Sequence, residues 1–244
     1  MQARRFFSVD SAKAVKAREF GYLNGINYMA PANLAGAGNL CPHASAGCLA
    51  LCLGWFSGQA AMVATDATIN SVRASRIAKA RLFMSDRKAF FQLAVDGACN
   101  VIRAARKQGL KPCLRMNGAT DIAWERVKME SGLTILEFFP GVQFVDYTKN
   151  LKRALAHARG DFPPNYHLTF SRSETNEKEA IEVLEAGGNI AVVSSLPKPE
   201  TYLMAPVIDG DLSDLRHLDP RGVVVWLSPK GAKAKADKSG FVVR

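Results

Sequence analysis

Apolar side chains recur along this chain in two rhythms, one before Gly109 and one after it. Upstream, Ile69, Val72, Ile77, Ala80 and Leu82 mark one helical run, and Phe90, Leu93, Ala94, Gly97, Val101 and Ile102 mark another. Ser85-Asp86 supplies a cap where the run divides. Downstream, short apolar runs predict strands over 111–116, 142–145, 166–170, 189–193 and 223–227, and amphipathic stretches between them predict helices over 121–136, 151–158 and 178–186. An early strand is expected over 26–29.

Short buried strands alternating with helices call for a parallel sheet built from right-handed crossovers. The expected fold class is therefore α/β, a partial parallel β/α barrel of about six strands; a doubly wound sheet is the alternative. No G-x-G-x-x-G follows a strand and no P-loop is present, which argues against a nucleotide fingerprint. A single α/β domain is expected over 1–244. Its parts are a lead-in segment 1–40, a cysteine loop 41–66, a basic helical region 67–109, β/α units 110–228 and a loosely ordered basic tail 229–244.

In such folds the loops at the carboxyl ends of the strands carry the chemistry. Here those ends are followed by Arg115-Met-Asn117-Gly-Ala-Thr-Asp121, by Asp146-Tyr147-Thr148-Lys149, by Ser171-Arg172-Ser173-Glu174 and by Ser194-Ser195. Asn117, Asp121, Asp146, Tyr147 and Lys149 are the candidate catalytic residues. The last three place an acid, a phenol and an ammonium within four residues, enough for proton transfer or for binding a carboxylate.

The cysteines change the picture most. Three of the five, Cys41, Cys48 and Cys52, fall in the spacing C-x6-C-x3-C within a loop of small residues. An odd count argues against a disulfide framework, and the start of the chain shows no apolar signal segment, so a reducing cytoplasm is expected. No run approaches the roughly 20 apolar residues of a membrane span. Closely spaced thiolates suit an iron-sulfur cluster or zinc. Three ligands on a [4Fe-4S] cluster leave one iron open to a small molecule such as S-adenosylmethionine. Zinc, the alternative metal, needs a fourth ligand, for which His43 is awkwardly near Cys41. Cys99 and Cys113 read as small buried hydrophobes.

The formal charge of +10 is uneven. Eleven Lys or Arg stand between Ala67 and Arg115 against Asp86 and Asp96, whereas Glu174 to Asp219 holds ten carboxylates against three cations. Arg73, Arg76, Lys79 and Arg81 are the candidates for contact with nucleic acid or another polyanion. The acids Asp209, Asp211, Asp214 and Asp219 fit no calcium loop and read as turn and ion-pair residues.

Three groups of residues occur together in a recognisable order: Asn39-Leu-Cys41-Pro with Gly47-Cys48 and Cys52; Asp146-Tyr-Thr-Lys-Asn150; and Val207-Ile-Asp-Gly-Asp211 with Asp219-Pro220 and Lys230-Gly231. From about Asn24 onward the chain resembles the phage gene-product-88-like family. That resemblance implies a bacteriophage or prophage origin, with the host cytoplasm as location, and implies no activity. A more distant likeness is to the radical S-adenosylmethionine enzymes, which join a three-cysteine cluster loop to a partial β/α barrel; their usual spacing is C-x3-C-x2-C. Three functional expectations follow: a [4Fe-4S] protein with an open iron and radical-type chemistry, a non-enzymatic iron-sulfur protein that binds nucleic acid through its basic segment, or a structural zinc protein.

Overall fold

The computed structural model describes residues 6–244. The strands are β1 (Phe7–Ser8), β2 (Tyr22–Asn27), β3 (Lys111–Arg115), β4 (Gln143–Thr148), β5 (Tyr166–Ser171), β6 (Ile190–Val193), β7 (Thr201–Tyr202), β8 (Ala205–Asp209) and β9 (Val224–Leu227). The helices are α1 (Ala12–Lys16), α2 (Ala46–Ala50), α3 (Leu53–Phe56), α4 (Ser71–Ser85), α5 (Arg87–Lys107), α6 (Ile135–Phe138), α7 (Leu151–Arg159), α8 (Glu177–Glu185) and α9 (Ala232–Lys235).

Among the described residues the strands form one mixed, mostly parallel sheet in the order β1-β2-β3-β4-β5-β6-β9-β8-β7. Every pairing from β2 through β6 and on to β9 and β8 is parallel; β1 and β7 add antiparallel edges. The α/β class is as expected. The sheet is wider than the expected six strands, and β1 and β7 end it without pairing to each other.

Strand alternation sorts the core onto two faces. Leu114, Phe144 and Leu168 join Phe90, Ala94, Ala98 and Val101 of α5 in the main apolar cluster. Phe170, Ile190, Val192, Val224 and Trp226 join Ala154 of α7 and Ala180 and Val183 of α8. Cys113 and Val145, one residue out of phase with Leu114 and Phe144, turn to the opposite face against Ala17 and Leu215. Cys113 is a buried hydrophobe as expected. The expected division of the long helical region is also present: Asp86 accepts a hydrogen bond from the Ala89 N–H and opens α5.

Two expectations fail for local reasons. The segment 121–136 is not a helix; only Ile135–Phe138 is helical, beginning at a Thr134/Glu137 capping box. Upstream of that box the backbone is drawn out of helical pairing because Asn117 Oδ1 accepts from the Ile122 N–H and from Trp124 Nε1, fixing Trp124 in the core. The basic tail is docked rather than loose. Ala234 and Val242 pack on Leu51 of the cysteine loop, Val243 bridges to Ser194, and Arg172 donates to the Gly240 and Phe241 carbonyls. Among the described residues, no helix is long and apolar enough to cross a membrane.

Candidate functional site

A cavity of about 920 Å³ opens at the carboxyl ends of the parallel strands. Its wall runs from Ile26 and Tyr28 after β2, past Arg115 and Asn117 at β3, Tyr147 and Lys149 at β4 and Ser171 at β5, to Val193 and Leu227. Cys41, Cys48 and Cys52 all line it. The cysteine loop and the polar strand ends thus line one cavity.

Short local contacts shape the cysteine loop. Ser45 caps α2 by accepting the Cys48 N–H at 3.2 Å, and the Cys52 carbonyl accepts from Trp55 and Phe56 to open α3. The Cys41 sulfur accepts the Ala32 N–H at 3.3 Å and lies 3.5 Å from the Ala119 carbonyl. Two glycines permit the close approach of loop to sheet. A Cβ on Gly54 would land on that of Ala119, and a Cβ on Gly118 would come within 2.5 Å of the Asn27 carbonyl oxygen. Burial, helped by the neighbouring cysteines, pushes the Cys41 thiol up to about 11 and the Cys52 thiol up to about 12. A cation bound between them would reverse this preference for the neutral thiol.

Among the described residues, no three His, Cys, Asp or Glu side chains are gathered tightly enough to share one metal ion. Zinc bonds of about 2.3 Å to sulfur would demand such a gathering, whereas a four-iron cluster takes its thiolates at separate corners. His43 does not line the cavity; its Nε2 lies 2.9 Å from Asn150 Nδ2.

The five candidate catalytic residues divide. Asn117, Asp121 and Asp146 are tied into the fold. Asp146 is fully buried and accepts from the Asn117 N–H at 2.7 Å and from the Tyr166 hydroxyl at 3.1 Å. Desolvation nonetheless pushes its carboxyl up to about 7. Asp121 accepts from Arg153 at 2.7 Å and from the Lys149 N–H at 2.9 Å. Tyr147 and Lys149 also line the cavity, although the Tyr147 hydroxyl itself is buried. The Tyr147 ring lies beneath the Arg115 guanidinium, and Lys149 Nζ meets the Ser171 hydroxyl at 3.1 Å.

Of the four basic candidates for polyanion contact, Arg73 and Lys79 are buried, Arg76 is half-buried and Arg81 is exposed. Arg73 is wholly buried, donating to the carbonyls of Trp55, Asp66 and Thr68 with its guanidinium 4.6 Å from the Trp55 ring. Lys79 is buried against the Phe6 carbonyl and Asn27 Oδ1, and desolvation pushes its ammonium down to about 7. Arg76 donates to the Gly54 carbonyl beside the Tyr28 ring, and Arg81 to the Ala35 carbonyl. Arg73, Arg76 and Arg81 thereby anchor the loops around the cysteines. Arg73 and Lys79 have no surface to offer a phosphate backbone.

Two residues that organise the site carry no local sequence signal of that role. Arg153 ties α7 to the loop after β3. Glu174, beyond β5, accepts the Gly47 N–H at 2.7 Å and the Ser45 hydroxyl at 2.8 Å, and so clamps the cysteine loop. Hydrogen bonds to a charged acceptor contribute about 1.5–3 kcal/mol. Replacing Glu174 with Ala is expected to speed amide exchange at Gly47 and Cys48 by about ten-fold to a hundred-fold, leaving α5 unchanged. Unchanged exchange in the loop would mean that other contacts hold it.

Residues 5–244 match the family model described as gene product 88. No curated protein and no solved structure matches the chain.

Proposed function

The chain belongs to the gene product 88 family, and from that premise we propose that it is a [4Fe-4S] protein in which Cys41, Cys48 and Cys52 ligate three irons and the fourth iron faces the polar cavity. The observation that carries this reading is the convergence of three thiols from one short loop on a cavity at the strand ends. His43 is turned to Asn150, and both Asp121 oxygens are taken by Arg153 and the Lys149 N–H. Among the described residues, no three donors gather tightly enough for the single-zinc alternative.

The chain's own residues would hold and shield such a group. Glu174 fixes the loop, Arg76 ties Gly54 beside Cys52, and the C-terminal tail packs Ala234 and Val242 over Leu51. A cluster held there would supply one-electron chemistry and an iron position for a small molecule, S-adenosylmethionine among the candidates. The cavity volume suits a small-molecule ligand, which favours an enzyme over a nucleic-acid-binding module.

Anaerobic reconstitution is expected to give a brown protein with about four irons per chain. Alanine at Cys41, Cys48 or Cys52 should remove most of that iron, and alanine at Cys99 should not. A colourless protein holding one zinc per chain would overturn the proposal. For the enzyme reading, the paramagnetic-resonance signal of the reduced protein should shift when S-adenosylmethionine is added; an unchanged signal with no cleavage of that molecule would remove it as the ligand.

A further inference from the structure

The cavity is lined by five cations and four carboxylates, and not every cation has a close carboxylate. Its carboxylates are Asp10, Asp121, Asp211 and Asp214, and none of them is without a partner. Asp121 is neutralised by Arg153, and Asp211 pairs with Lys230 at 3.2 Å. Arg76 and Lys79 are spent on carbonyl and amide oxygens, which leaves Lys149 and Arg115 as the lining cations less well matched. Among the described residues Lys149 Nζ meets the Ser171 hydroxyl at 3.1 Å and the Phe241 ring, 5.4 Å from its centroid. Arg115 Nη1 is 3.7 Å from Asp214 Oδ2, a charge pair longer than a hydrogen bond.

The posture of Arg115 adds a shape to this surplus. Its guanidinium rests on the Tyr147 ring, 4.6 Å from the centroid, and its Nε donates to the Asn117 carbonyl at 3.2 Å. With Nε and one face engaged, the terminal Nη edge is the part still short of a close partner. A flat, pre-oriented Nη edge matches the two oxygens of a carboxylate, and such forked, charge-assisted pairs are the strong ones. Lys149, also on the cavity wall, supplies a second charge that can adapt its direction.

We propose that this part of the cavity is a carboxylate-binding subsite, with Arg115 as the fork and Lys149 as the second cation, so that the small molecule taken up here is an organic acid. Arg115 and Lys149 orient the ligand through its carboxylate. The subsite stands on the cavity and these two side chains, whether or not the thiols hold iron.

The test is calorimetric titration of the as-isolated protein with succinate, acetate and inorganic phosphate at constant ionic strength, chloride being the competing anion. Succinate should bind at least about ten-fold more tightly than chloride. Arg115→Lys, which keeps the charge and loses the fork, should weaken it about ten-fold or more, and Lys149→Gln by several-fold, with urea midpoints close to the parent's. Carboxylate affinity no greater than that of chloride, affinity untouched by both substitutions, or a preference for phosphate over both carboxylates would overturn the proposal. Repeating the titration after reconstitution separates this subsite from the cluster. Succinate binding by an iron-free chain that fails to take up iron would uphold the subsite and sink the cluster reading.

Discussion

Replacing Arg153 with Met is expected to cost about 3–5 kcal/mol of stability at neutral pH, the range for breaking one side of a buried ion pair. Arg153 is 3% exposed and carries two carboxylates at once. It meets Glu125 through Nε at 2.7 Å and Nη2 at 2.9 Å, and Asp121 through Nη1 at 2.7 Å, with the Thr148 and Tyr166 hydroxyls completing its contacts. Burial works against the guanidinium's charge, yet Tyr166, Glu125 and Asp121 together outweigh it and hold its pKa above the ordinary value. Methionine fills similar volume, so the loss would come from two nearly buried carboxylates left without a counter-ion rather than from a void.

The loss should appear as a lowered urea midpoint against the parent at pH 7. Adding Asp121→Asn and Glu125→Gln to the variant should recover part of the loss at pH 7. Arg159, whose bridge to Asp161 is 60% and 55% exposed, is the control; its removal should cost no more than about 1 kcal/mol. A comparable loss at both sites would mean that the Arg153 pairs are no more than surface electrostatics.

Much of the framework was legible because it depends on local pattern. Phe144 and Val145 are adjacent and go to opposite faces, as period-two alternation requires. Asp86 caps α5 where the helical rhythm breaks. The three cysteines shared one loop and so had to meet whatever the sheet did beyond them. What escaped depends on direction and distance in space. Charge density in 67–115 is a real feature of the chain, but counting cannot show that Arg73 and Lys79 point inward at carbonyls 18 and 73 residues away in sequence. Strands β7 and β8 were missed because Pro206 and the turn-like Asp209-Gly210-Asp211 mask them, and both are admissible near a sheet edge. The segment 121–136 has helical periodicity and a capping acid at Asp121, yet that acid is taken by Arg153 from 32 residues away.

Asn117 is where local and long-range demands meet, and its replacement is the second large effect expected. It is 2% exposed and saturated. Its Oδ1 accepts from the Thr120 hydroxyl, the Ile122 N–H and Trp124 Nε1 at 2.8–3.0 Å, and its Nδ2 donates to the Ile122 carbonyl at 2.9 Å and to Asp146 Oδ2 at 3.3 Å. Asn117→Ala would orphan several buried groups, each costing about 1–3 kcal/mol, with partial relaxation bringing the total to about 3–5 kcal/mol. Asn117→Asp separates the two halves of this role. It keeps the acceptor for three donors and sets a second carboxyl beside Asp146, whose own carboxyl burial already pushes up to about 7. Below that pH the pair can share a proton, which takes the place of the lost N–H donor. Because the folded state then binds a proton that the unfolded chain has released, stability falls as pH rises through the pair's folded-state pKa. The variant should therefore come close to the parent at pH 5 and fall well below it at pH 8 in urea melts. A deficit independent of pH would show that the amide donor, and not the acceptor, is what holds the loop after β3 against the cavity.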